Sequence, residues 1–156
     1  MNFSKVPFYV RLLLPILWYG LIFYITEQPE ADSLSTQLAM EELHTKVNET
    51  VQLAEVWFFN PEFWNGVLRI GSHMFMFGIL GILFYYLLES SLRFNKKTFL
   101  ISILFVTLFG ISDEIHQSFV PGRFAMPIDV LKDIIGAILF ITIACNSIRN
   151  KINPIK

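Results

Sequence analysis

The chain reads as an all-α membrane protein, a four-transmembrane-helix bundle with a long extracytoplasmic loop that contains an amphipathic helix. Three observations predict this class. Hydrophobic residues make up 54% of the 156, more than a water-soluble domain carries, and they fall in blocks. Four blocks approach the ~20 residues that a helix needs to cross the hydrocarbon core. The basic residues form three groups that a four-span path brings to one side. An open sheet is excluded, because its edge N–H and C=O groups would find no partners in lipid. One membrane domain over residues 1–156 accounts for the whole chain.

The first span covers residues 6–25. Arg11 near its start can snorkel toward water, and Pro15 predicts a kink. Lys5 and Arg11 ahead of an apolar core imitate a signal peptide. Thr26-Glu27-Gln28-Pro29 offers no small-residue cleavage site, so the helix is expected to be retained. The loop over 26–66 is acidic, with Glu27, Glu30, Asp32, Glu41, Glu42, Glu49, Glu55 and Glu62. Within it Leu34, Leu38, Leu43, Val47, Val51 and Ala54 recur at helical spacing after a candidate N-cap at Asp32 or Ser33. This pattern predicts an amphipathic helix on the outer membrane face or against the bundle, most simply as a cap over its end. Trp57-Phe58-Phe59-Asn60-Pro61-Glu62-Phe63-Trp64 then forms an interfacial aromatic belt.

The second span is expected over 67–88, with Gly71, Gly78 and Gly81 as surfaces for close helix approach. The third runs over 98–118. The fourth runs over 127–148, with Pro127 suited to a first helical position and Gly136-Ala137 as a further packing surface. Lys5 and Arg11, then Arg93, Lys96 and Lys97, then Arg149, Lys151 and Lys156 all fall on one side, which predicts cytoplasmic N- and C-termini. Cys145 has no partner in the chain, so an intrachain disulfide is impossible. No glycine-rich phosphate loop occurs, and the few basic residues flank spans instead of forming a nucleic-acid surface.

The densest polar stretch is Ser112-Asp113-Glu114-Ile115-His116-Gln117-Ser118-Phe119-Val120-Pro121-Gly122-Arg123. From a start near Thr98, Asp113 lies roughly 20 Å along its helix, inside a core ~30 Å thick. Ionisable groups at that depth are costly and are kept for function or paired structure. Arg69 and His73 share a face of the second helix; Asp113, His116 and Gln117 share one on the third; Asp129, Lys132, Asp133 and Gly136 share one on the fourth. Three polar faces therefore meet at one level in the outer leaflet. Pro121-Gly122 predicts a type II turn that projects Arg123 over the bundle mouth. The plainer alternative is a charge network tying helices together, with Arg123 on Asp129 or Glu114 and Lys132 on Asp113 or Asp133.

Residues 112–117, Phe119 through Arg123 and Asp129 through Gly136, supported by Arg69 through His73 and the four-span layout, resemble the VanZ-like family of bacterial membrane proteins. The resemblance covers about the last two-thirds of the chain. It implies a bacterial plasma-membrane protein and an association with teicoplanin resistance. Carried over residue by residue, it implies functional positions at His73, Asp113, Glu114, His116, Gln117, Arg123, Asp129 and Asp133. Family members often carry Glu and Tyr shortly after the second-helix His, where this chain has Met76 and Phe77.

Two functions compete. In the first, the pocket binds an envelope lipid or lipidated glycopeptide antibiotic, with Arg69 joining those residues around the head group. In the second, the chain is an integral membrane hydrolase or transferase acting on a lipid-linked substrate. His116 would then be a general base oriented by Asp113, with Glu114 as a further catalytic candidate. A divalent metal on His73, Asp113, His116 and Asp129 is the other catalytic arrangement. Binding ranks above catalysis, because shared carboxylate–His clusters also build structural and transport sites. A bound divalent metal ranks below a metal-free pocket, and the four-span pattern is compatible with an oligomer.

Overall fold

The computed structural model describes residues 6–27, 41–42, 45, 61–121 and 123–152. Four helices follow in order: α1 (Phe8–Thr26), α2 (Pro61–Leu88), α3 (Lys96–Gln117) and α4 (Pro127–Ile152). No strand occurs among the described residues. α1, the Gly66–Leu88 portion of α2, and α3 are each long and apolar enough to cross a membrane. α4 has 26 residues and spans about 39 Å. Asp129, Lys132 and Asp133 in its first turns make it the more polar helix.

The ends fall close to expectation, with informative differences. α2 begins at Pro61, six residues before the expected span, because proline suits the first turn and the aromatic stretch winds into helix. α3 begins at Lys96, ahead of Thr98, because the Asn95 side chain accepts from the N–H groups of Lys97 (3.0 Å) and Thr98 (3.4 Å). Between Glu27 and Pro61 only Glu41, Glu42 and Thr45 are described; all three are helical, and the Thr45 hydroxyl donates to the Glu41 carbonyl. The rest of the expected amphipathic helix, and residues 57–60 of the aromatic belt, lie outside the described residues.

Direction alternates along the chain. Thr26 of α1 meets Asp113 of α3, and Tyr19 packs edge-on against Phe109, so α1 and α3 run parallel. Arg69 meets Asp129 and His73 meets Asp133, so α2 and α4 run parallel, opposite to the first pair. The α2–α4 seam is the most extensive contact in the bundle. Small residues make it close. A Cβ on Gly136 would lie 2.2 Å from the Met74 carbonyl oxygen, one on Gly81 2.8 Å from the Ala137 Cβ, and one on Gly78 2.7 Å from the Phe140 ring. Gly71 departs from the expectation: it is exposed, with nothing within 4 Å of a Cβ.

Around this seam, Phe77, Leu80, Phe84, Val106, Ala137 and Ile22 form one buried cluster. A second, at the basic end, joins Tyr85, Tyr86, Leu92, Ile141 and Cys145. The Tyr85 hydroxyl is satisfied twice, donating to the Arg93 carbonyl (2.6 Å) and accepting from the Asn95 N–H (2.7 Å), which fastens the α2–α3 turn. Leu92 in that turn has φ 51°, a left-handed conformation whose cost its burial offsets. α1 is peripheral. Trp18 Nε1 donates to the Met76 carbonyl (2.8 Å), while Tyr9, Leu13, Leu17 and Tyr24 face outward as lipid-facing residues do. Arg11 donates to the carbonyls of Tyr86 (3.4 Å) and Leu87 (3.2 Å), so it serves the C-terminus of α2 in addition to reaching toward water.

Candidate functional site

At the end of the bundle opposite Arg11, four carboxylates lie buried: Asp113 and Glu114 from α3, Asp129 and Asp133 from α4. Asp129, in the first turn of α4 and fully buried, is the most heavily paired. Its Oδ2 accepts from Arg69 Nη2 (2.6 Å) and Nε (2.9 Å), and its Oδ1 from Lys132 Nζ, one turn along the same helix. One turn deeper, His73 Nδ1 lies 2.9 Å from Asp133 Oδ1. An ionised carboxylate only accepts, so Nδ1 carries a hydrogen toward Asp133. His73 Nε2 stands 3.6 Å from Asp129 Oδ2, beyond hydrogen-bond reach.

Two parallel helices stepping four residues at a time produce both rungs, since each pair is separated by 60 residues. The residue opposite Asp133 on α3 is Gly110, where a Cβ would sit 2.9 Å from Asp133 Oδ2. Glycine at that point leaves room for the buried carboxylate.

α3 contributes differently from its two acids. Glu114 Oε2 accepts the Met126 N–H just ahead of α4, placing a carboxylate at a helix N-terminus. Asp113 turns toward α1, with Oδ1 accepting from the Thr26 hydroxyl (2.8 Å) and Oδ2 from Gln117 Nε2 (2.7 Å). His116 stacks on Phe23 of α1, ring centroids 3.7 Å apart. The α3–α4 connection closes with the Arg123 N–H on the Val120 carbonyl (3.1 Å), the bond of a four-residue turn; the conformation of Gly122, and with it the turn type, lies outside the described residues.

The sequence-predicted residues thus sort into two groups. Arg69, His73, Glu114, Asp129 and Asp133 converge on one side. Asp113, His116 and Gln117 line the contact with α1. The metal candidates do not form one set: His73, Glu114 and Asp129 bring one donor atom each to within 4.8 Å of one another, whereas Asp113 is engaged by Thr26 and Gln117. The catalytic pairing of Asp113 with His116 is not made either, since both Asp113 oxygens have those other donors. The expected ion pairs also shift. Lys132 takes Asp129 in place of Asp113 or Asp133, and Arg69 takes the place at Asp129 expected for Arg123. The half-buried Arg123 side chain makes no bond to either acid.

Three buried polar atoms of this end have no partner among the described residues: Glu114 Oε1, Asp133 Oδ2 and His116 Nε2. Buried acceptors seldom go unmatched, so these atoms are where a ligand has something to gain. Sequence reasoning missed Thr26, Phe23, Gly110 and the Met126 N–H. The isolated Gly110 in an apolar helix is a readable signal of close approach; the others leave none.

The chain matches the family described as VanZ/LLP1 over residues 11–149, nearly its full length, and belongs to that family. No curated protein and no solved structure matches it.

Proposed function

We propose that this VanZ/LLP1 membrane protein binds the polar head of an envelope amphiphile at the carboxylate-lined end of its bundle. The carrying observation is the unpartnered pair of buried acceptors, Glu114 Oε1 and Asp133 Oδ2. Acceptors call for donors. Arg69 and Lys132 are already committed to Asp129, so the free capacity suits hydroxyl or amino groups, as on a sugar head, better than a bare phosphate. Arg123, with no acid of the cluster bound to it, is available for an anionic portion of the same head. Phe119 and Phe124, 78% and 81% exposed beside the site, offer apolar surface for a tail.

Arg11, Arg93, Lys96, Lys97 and Arg149 gather at the other end, which supports cytoplasmic termini and an outward-facing site in a bacterial plasma membrane. A cell-envelope lipid intermediate, or a lipidated glycopeptide of the teicoplanin type, has the required shape. The test is native mass spectrometry on protein purified in mild detergent. Wild type is expected to retain an envelope lipid that Arg123→Ala and His116→Ala lose while keeping their melting temperatures. Retention of nothing by wild type, with Asp129→Asn markedly less stable, would leave a helix-tying charge network in its place.

A further inference from the structure

We infer that His73, Glu114 and Asp129 form a binding site for one divalent metal ion of the mixed nitrogen–oxygen class, zinc or manganese. The inference goes beyond head-group binding and is tested apart from it in lipid-free protein; a metal on Glu114 leaves Asp133 Oδ2 as the free acceptor for a head group.

Geometry comes first. Three donor atoms, one from each side chain, lie within 4.8 Å of one another. Metal bonds of ~2.1 Å arranged tetrahedrally put neighbouring ligands about 3.4 Å apart. His73 Nε2 and Asp129 Oδ2 are already at 3.6 Å. In the neutral imidazole, with Nδ1–H given to Asp133, Nε2 presents a lone pair toward the Asp129 carboxylate, where a cation can be shared. Glu114, 5% exposed, supplies an independent pointer, since its Oε1 is buried with no partner among the described residues.

The support around the histidine also fits. A metal-bound imidazole usually gives its other N–H to a carboxylate, which fixes ring and tautomer. Asp133 takes that role at 2.9 Å, and Gly110 leaves the space for it. Charge points the same way: on the side where they converge, Glu114, Asp129 and Asp133 stand against Arg69 and Lys132, three formal negative charges against two positive. Arg69 fills both lone pairs of Asp129 Oδ2 and Lys132 one of Oδ1, which leaves a lone pair on Oδ1 for a metal.

The experiment uses the full chain in mild detergent with no added lipid. Elemental analysis is expected to find about one zinc or manganese per chain after purification without chelator. Chelation should lower the apparent melting temperature, and Zn2+ or Mn2+ should restore it. Co2+ added to the stripped protein should give a visible ligand-field spectrum that His73→Gln abolishes. Asp133→Asn, which keeps the three ligands, should weaken Co2+ binding by roughly 10–100-fold. Wild-type protein that carries no metal and shows neither a Co2+ spectrum nor a thermal shift with Zn2+ or Mn2+ would overturn the inference, whether or not the variants fold. So would a Co2+ spectrum unchanged in His73→Gln.

Discussion

Replacing Gly136 by alanine is the sharpest probe of how this bundle is held. The new Cβ would lie 2.2 Å from the Met74 carbonyl oxygen, 2.7 Å from its Cα and 2.8 Å from its carbonyl carbon. Even close Cα–H···O contacts keep carbon and oxygen about 3.3 Å apart, so α2 and α4 must separate by roughly 1 Å. The obstructing atoms are backbone and cannot rotate away. Overpacking of this kind costs about 1–3 kcal/mol, and a gap of that size forfeits a quarter to a half of each lost contact along the seam. Alanine returns about 1 kcal/mol of helix propensity, which leaves a net loss near 2 kcal/mol. At ~2–4 °C per kcal/mol, the melting temperature should fall by about 6 °C, compared in one detergent at one scan rate. Gly71→Ala on α2 is the matched control: nothing lies within 4 Å of its Cβ, so only the propensity gain applies and stability should hold or rise. Gly136→Ala as stable as the wild type would refute the close seam.

Asp129→Asn leaves Arg69 and Lys132 without their anion and should destabilise by about 3 kcal/mol, seen as a lowered melting temperature. Arg69→Gln should cost less, about 1 kcal/mol, because that guanidinium is 42% exposed and Asp129 keeps Lys132; the reverse order would mean that Asp129 is not the hub. Tyr85→Phe removes a doubly bonded hydroxyl from a fully buried ring and strands the Arg93 carbonyl and the Asn95 N–H, at about 1–3 kcal/mol. Amide exchange at Asn95 should speed up in the same variant, and unchanged exchange would argue against the hydroxyl as the turn's fastener.

The class and all four helices were legible because membrane depth imposes length and apolarity on sequence. Helix ends were less so: Asn95 and Pro61 are capping signals that hydropathy alone passes over. The site was legible in composition and not in pairing. Spacing of four residues shows that Arg69 and His73 share a face, as do Asp129 and Asp133, but the rotation of one helix against another decides which faces meet. Here rotation gives α2 to α4 and turns Asp113 and His116 toward α1, which separates residues that adjacency on α3 had grouped. Glu114 joins the α4 side because the sharp α3–α4 connection brings the Met126 N–H to it, a backbone partner with no side-chain signature.

The seam and the polar rungs are one construction, and Gly110 is where they can be pulled apart. A Cβ at Gly110 meets Asp133 Oδ2 at 2.9 Å, a side-chain tip, where Gly136 meets backbone. The carboxylate can swing aside, so Gly110→Ala should destabilise less than Gly136→Ala. The swing must draw Oδ1 away from His73 Nδ1, whose 2.9 Å bond fixes the imidazole tautomer, at a cost of about 1 kcal/mol. Nitrogen-15 spectra of labelled histidine should show a single Nδ1–H form of His73 in the wild type and a mixture of tautomers in Gly110→Ala. His73 resonances unchanged by the added methyl would mean that the imidazole is oriented by something other than Asp133, and that the glycine serves packing alone.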